Sequence, residues 1–260
     1  MLDLMIMKLE KITTESQPVS RRRYEDACGT ALALDLVGER WALLVVRELL
    51  LGGKRFGDLK ADLPGISANT LTQRLEGLER HGIVRRRRLP PPASTQVYEL
   101  TEWGYEAEPI MQVLGRWAVR SPEHDPTQWI SAVSILISFR TMIDASRAAG
   151  LEATIGFRFG EEHFLSHIRN GMISYIRGPF TEADAIFTGV PGALGAAVYG
   201  GVPFEALAEA GTQREEADLA LARRFATLFV LPPKITLPAA AAPPASSSPA
   251  RPAPRPRTAS

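Results

Sequence analysis

The chain has 260 residues, 45% of them hydrophobic and 23% charged, with a formal net charge of +1. That length holds two small domains with separate cores, and the composition is that of an ordinary globular protein, not a disordered or fibrous one. A single cysteine excludes an internal disulfide framework and fits a reducing cytoplasm, and no apolar run reaches the length needed to span a bilayer. Charge is unevenly spread: residues 21–120 carry 16 Lys and Arg against 13 Asp and Glu, whereas residues 121–235 carry 9 against 13. The basic excess lies in the N-terminal half.

Residues 1–20 form an N-terminal extension without strong pattern. Acidic residues interrupt its apolar run and no small-residue cleavage site follows, so a signal peptide is not expected; Met5 and Met7 are alternative starts. Arg21, Arg22 and Arg23 form a short basic arm, either a solvated terminus or a contact for DNA phosphates. The apolar density from Cys28 to Val37 predicts a short buried helix stopped by Gly38. Trp41, Leu44, Val45, Glu48 and Leu49 predict a second, amphipathic helix ending at Gly52 and Gly53, and Phe56 and Leu59 mark a third before Pro64.

Leu71, Leu75 and Leu78 then make one apolar stripe of a helix that Ser67 is placed to cap. Asn69 and Gln73 fall on the opposite face, flanked by Thr70 and Thr72, with Arg74 following. Asn and Gln bond adenine edges bidentately and a helix N-terminus suits phosphate, although a plain solvated face has the same look in isolation. The sequence IVRRRRL, the prolines 90–92 and TQVYEL next predict a β-hairpin bearing Arg85, Arg86, Arg87 and Arg88. Four consecutive arginines cannot all face a core. Helix, helix, polar-faced helix and then a basic hairpin is the order of a winged helix-turn-helix.

Thr101 predicts the cap of one further helix, in which Trp103, Ala107, Ile110, Leu114 and Trp117 are spaced as a heptad seam. Monomer packing or a dimer would produce it; a dimer is favoured because one winged helix contacts few bases. Residues 121–128 are a polar linker with two prolines. Beyond them, residues 129–233 predict a helix to about Ala149, strands in ATIGFRF, EHFLSHI, MISYIRG and DAIFTGV with a hairpin turn at Asn170-Gly171, and helices over 191–199, 204–209 and 215–229. A small mixed sheet with helices is the α+β pattern, so the whole is mainly α with an α+β second domain. Residues 234–260 form a Pro/Ala/Ser-rich tail expected to be disordered.

Catalytic and metal motifs are missing from this pattern. His163 and His167 have the i, i+4 spacing of a metal pair on a helix, but on a strand four residues span about 13 Å and cannot share an ion. No P-loop, G-x-S-x-G or dinucleotide fingerprint occurs, so neither an enzyme nor a cofactor is expected. Cys28 reads in two ways: a small buried apolar residue, or a thiol whose pKa is lowered at a helix start.

Cys28, Val37-Gly38-x-Arg40-Trp41, Arg55-Phe56-x-x-Leu59, Gly65-Ile66-Ser67, the Leu71, Leu75 and Leu78 set, His81-Gly82-Ile83-Val84 and Tyr98-x-Leu100-Thr101-x-x-Gly104 resemble the HxlR-type winged-helix regulators, relatives of the MarR group. The resemblance covers about residues 24–120 within a DNA-binding and dimerisation domain of residues 21–120. It implies a cytoplasmic homodimer on double-stranded operator DNA, often a repressor, with the Ser67-capped helix in the major groove and the arginine wing near the minor groove. Asn69 and Gln73 are then expected at bases, Ser67 and Thr70 at phosphates, Thr72 and Arg74 beside them, Arg86 and Arg88 on the wing, and Trp103, Ile110, Leu114 and Trp117 at the dimer seam. Some such regulators sense oxidants through the N-terminal cysteine; here Gly29 replaces the proline usual after it, and Val97 replaces the acidic residue common before the wing tyrosine. Residues 128–233 more faintly resemble the sterol carrier protein type 2 fold, which implies a small apolar ligand against Phe157, Phe159, Tyr175, Ile186 and Phe187. The alternative function is a lipid or small-molecule carrier that uses the winged helix only to dimerise.

Overall fold

A computed structural model describes residues 24–236; the basic arm at 21–23, the first 20 residues and the tail from 237 lie outside the described residues. The first domain runs α1 (Gly29–Val37), α2 (Ala42–Leu49), α3 (Phe56–Ala61), α4 (Ala68–Arg80), β1 (Val84–Arg88), β2 (Gln96–Leu100), α5 (Glu102–Tyr105) and α6 (Glu108–Ala118). Leu71, Leu75 and Leu78 of α4 are fully buried and close over Val45, Val46 and Leu49 of α2 and Leu59 of α3, which is the core the leucine spacing predicts. β1 and β2 pair antiparallel from Val84 opposite Leu100 to Arg88 opposite Gln96. Lys54 adds a third, one-residue strand, exchanging backbone hydrogen bonds with Tyr98 at 2.9 and 2.8 Å.

Two expectations for this domain change. The segment after Cys28 is helical but not buried: within α1 Ala31 alone is in the core, while Leu32 and Leu34 are exposed. The single helix expected from Thr101 is two. Thr101 caps only α5, its Oγ1 accepting from the Gly104 backbone at 3.0 Å, and Pro109 then sits in the first turn of α6. A proline there lacks the N–H that a continuous helix needs from that position, so the chain restarts at Glu108.

The second domain contains α7 (Ala132–Met142), β3 (Ala153–Phe159), β4 (Glu162–Arg169), β5 (Met172–Arg177), β6 (Ala185–Gly189), α8 (Pro191–Gly200), α9 (Phe204–Glu209), β7 (Gln213–Ala217) and α10 (Leu219–Ala226). The sheet order is β5-β4-β3-β6-β7, with β3 and β6 parallel and the other pairs antiparallel. Asn170 and Gly171 turn the β4–β5 hairpin with φ of 54° and 74°, the left-handed pair that a tight two-residue turn demands. Residues 213–217 are a strand, not the start of the expected helix: pairing with β6 overrides the helix propensity of two glutamates, and α10 begins only after Asp218, whose side chain caps it.

Phe139, Phe157, Phe187 and Phe225 form the centre of this domain, with Phe157 5.8 Å from Phe187 and 5.7 Å from Phe225, ring to ring. The residues expected to wall a ligand cavity are therefore differently placed. Phe157 also stacks with Phe159 at 5.9 Å and meets Tyr175 at 6.2 Å, so these rings fill space against one another. Ile186 pairs with Gly156 in the register and so faces the other side of the sheet from Phe187.

The two domains share a continuous core through α7, which packs against both α2 and α6. Charge reinforces the seam. Lys54 is 2% exposed and sits among Glu48 (3.5 Å), Glu162 (3.0 Å) and Asp62, joining the first domain to β4. Arg177 of β5 pairs with Glu162 and donates to the Leu51 carbonyl at 3.0 Å, while the Ser131 hydroxyl donates to Glu48 at 2.8 Å. The end of the second domain returns to the linker, where the Ile235 backbone N–H donates to the Arg120 carbonyl at 2.8 Å.

Candidate nucleic-acid interface

The outer surface of α4 presents Asn69, Thr72 and Gln73, all exposed, opposite the buried leucines. The same face continues one and two turns further with Glu76 and Arg80, also exposed, which the sequence reading passed over. Stepping from Thr72 or Gln73 by three, four and seven residues reaches them, so the helical period alone carried that signal. Ser67 caps as expected, its Oγ accepting from the Thr70 backbone at 3.1 Å and lying 2.8 Å from the Thr70 hydroxyl. Each side chain thus satisfies the other at the helix start.

Arg74 is placed differently from its neighbours. Its Nε donates to the Arg40 carbonyl at 2.9 Å and its Nη2 pairs with Glu39 at 3.0 Å. It ties α4 to the α1–α2 turn, where Trp41 takes a left-handed φ of 78° that a bulky residue rarely adopts. In this chain Arg74 is therefore a strut that orients α4, not a group displayed on its outer surface.

All four wing arginines are exposed, but they divide between two faces. Arg85 and Arg87 point to one side, where their Nε atoms donate to the two Glu99 oxygens at 2.8 and 2.6 Å. Arg86 and Arg88 point to the other: Arg86 pairs with Glu79 of α4 at 3.1 Å and lies over the Tyr98 ring, and Arg88 donates to the Ser94 carbonyl at 3.4 Å near the tip. The wing is thereby braced against α4 while keeping an excess of two positive charges over its carboxylate partners.

Partial burial raises the Glu99 pKa, but hydrogen bonds from Arg87 and Arg85 outweigh it and leave the carboxyl below the usual range. A carboxylate with a depressed folded-state pKa contributes stability above its unfolded pKa of about 4.3, and loses it as pH falls through the lower folded value. The difference in urea midpoint between the parent and Glu99→Gln should accordingly be constant above about pH 5 and shrink below the ordinary glutamate pKa. A difference that grows on acidification would contradict this clamp.

Cys28 is exposed at the N-terminus of α1, so the buried reading of it is replaced. Backbone N–H groups of Thr30 and Ala31, with the Thr30 hydroxyl, lower its thiol pKa. His163 and His167 lie on β4, as the strand reading requires, and no group of three or more potential metal ligands occurs among the described residues. The expected seam residues Trp103, Ile110, Leu114 and Trp117 are 50%, 61%, 45% and 70% exposed, and α6 buries none of its side chains.

Comparison with known proteins assigns this arrangement. The HxlR-like helix-turn-helix family profile matches residues 36–125. The HTH-type transcriptional regulator YvaP of Bacillus subtilis (strain 168) is 36% identical over 98 residues, which are 38% of this chain and 83% of that protein. The chain belongs to the HxlR-like helix-turn-helix family. The HTH-type regulator YodB of the same organism is 37% identical over 33% of this chain and 77% of its own length. A solved structure of reduced YodB matches with 34% identity and a TM-score of 0.35, covering 38% of this chain and all of that one. This HxlR-like chain is a transcriptional regulator with a DNA-binding helix-turn-helix, and its relatives are regulators, not enzymes. The matched region ends at the linker, so the second domain lies outside it. No helix among the described residues is long and apolar enough to cross a membrane.

Proposed function

We propose that the chain is a cytoplasmic, dimeric repressor that reads operator DNA through α4 and is controlled by a small molecule. The observation that carries this reading is the placement of the exposed Asn69, Thr72 and Gln73 face beside a wing of four exposed arginines. An α-helix of this kind enters a major groove, where Asn and Gln pair with adenine edges and Glu76 could accept from a cytosine amino group. Arg88, nearest the wing tip, supplies phosphate or minor-groove contact. The dimer is supported by Leu32 and Leu34 of α1 together with Ile110, Val113, Leu114 and Trp117 of α6, exposed apolar side chains that a second copy would cover. A sterol-carrier-like role for the second domain has support in its architecture, a mixed sheet with helices, but its aromatic residues pack against one another.

Substitution separates the roles. Gln73→Ala should cost about 1–3 kcal/mol on the preferred operator and much less on a scrambled duplex, which relaxes specificity. Arg88→Ala should weaken both duplexes alike and reduce the salt slope by about one. Anisotropy titrations of the two variants on the two duplexes read the difference; identical behaviour would overturn the division between base reading and backbone anchoring.

A further inference from the structure

We propose that the seam between α2, α6 and α7 is a binding site for a small anionic amphiphile, an aryl or short-chain carboxylate. A cleft of about 380 Å³ opens there, at the small end of the range for ligand pockets. Met111, Val119, Ile137 and Met142 line it, so its walls are apolar and come from both domains. Gly115 keeps it open. A Cβ at Gly115 would meet nothing within 4 Å, although the residue is half-buried in the middle of α6. A glycine inside a helix costs about 1 kcal/mol relative to alanine, and here no close approach of backbone requires it.

The cleft is distinct from the dimer face. Met111, Gly115 and Ala118 lie on the inner side of α6, whereas Ile110, Val113 and Trp117 lie on its outer side, with Leu114 at the edge. Its charge chooses the ligand. Arg47 and His124 reach the rim and none of the lining residues is acidic, but burial and the Lys234 ammonium 3.4 Å away hold the His124 imidazole toward its neutral form against the pull of Asp125, so the positive charge here is that of Arg47 and Lys234. Two nitrogens of Arg47, Nε and Nη2, are held by Glu48 at 2.9 and 2.7 Å, which positions the guanidinium with Nη1 left over for a carboxylate. On the floor, the Ser138 hydroxyl bonds that of Tyr199 at 2.8 Å. A ligand seated here touches α2, which packs on α4, and also α6, which carries the outer apolar face. Filling the cleft would therefore change the angle between reading helix and dimer face, and with it the half-site spacing. That effector role rests on the DNA-binding reading; the site does not.

Calorimetry of the full chain with 2-naphthoate, without DNA, tests the site. Saturable binding of one 2-naphthoate per chain is expected, at least tenfold tighter than neutral 2-naphthylmethanol. Gly115→Leu should abolish it while the urea midpoint stays level or rises, which shows that the fold is intact. Ile110→Asp with Trp117→Asp should leave it in place. Undiminished binding to Gly115→Leu, equal affinity for the neutral analogue, or loss of binding only in the outer-face variant would overturn the proposal, the last by making the apolar dimer face the occupant's seat. A separate titration of operator DNA with and without 2-naphthoate reads the effector role. Binding to the chain without any change in DNA affinity would overturn that role and leave the site standing.

Discussion

Lys54→Met should destabilise the folded chain by about 3–5 kcal/mol in urea unfolding. The ammonium is 2% exposed and stands among three carboxylates, Glu48, Asp62 and Glu162, of which Glu48 is fully buried. Methionine keeps the aliphatic stem and leaves the backbone pairing with Tyr98 untouched, so the measured loss reports the charge. Arg47 still neutralises Glu48 and Arg177 still pairs with Glu162, but Asp62 has no second cation in contact among the described residues. Burial already pushes the Asp62 carboxyl above its usual range against the pull of Lys54. For Glu162 burial also raises the pKa, but the charges of Lys54 and Arg177 outweigh it and leave the carboxyl lowered. Adding Asp62→Asn to Lys54→Met should recover part of the loss, because it removes the charge left alone. A loss below about 1 kcal/mol, the size of an exposed ion pair, would show that water already screens the network.

Ile110→Asp combined with Trp117→Asp should convert the protein to a monomer and weaken operator binding by about 10²–10⁴-fold, the advantage that linking two half-site contacts confers. The two side chains are 61% and 70% exposed in the single chain, so neither is needed for its core. Carboxylates facing each other across a symmetric seam would repel, since each residue meets its own patch in the partner. Sedimentation and anisotropy on one sample decide the matter. A variant that remains dimeric, or a monomer with undiminished affinity, would remove α6 from the interface.

Much of the first domain was legible because its signals are local. The leucine spacing of α4, the Ser67 cap and the run of arginines each lie within one element, and a period of 3.6 or 2 decides which side a residue takes. The Asn170-Gly171 turn was equally plain. What could not be read depends on partners distant in sequence. Arg74 has the same local standing as Gln73 until the α1–α2 turn arrives beneath it, 34 residues away. Lys54 and Glu162 carry no mark of pairing, and Glu48 meets Ser131 across 83 residues of chain. Residues 215–217 look helical in isolation and join the strand Gln213–Ala217 because β6 offers an edge. Phe157 and Phe187 suit a cavity wall or a packed core equally well, and only the rings around them decide.

Sequence-selective reading of DNA is measured most directly by fluorescence anisotropy with the DNA upstream of the protein's own gene at two salt concentrations. Binding to that duplex should be tighter than to a scrambled one, with affinity for both falling steeply as salt rises, because phosphate contacts release counterions. Equal affinity for the two duplexes, or affinity indifferent to salt, would contradict it.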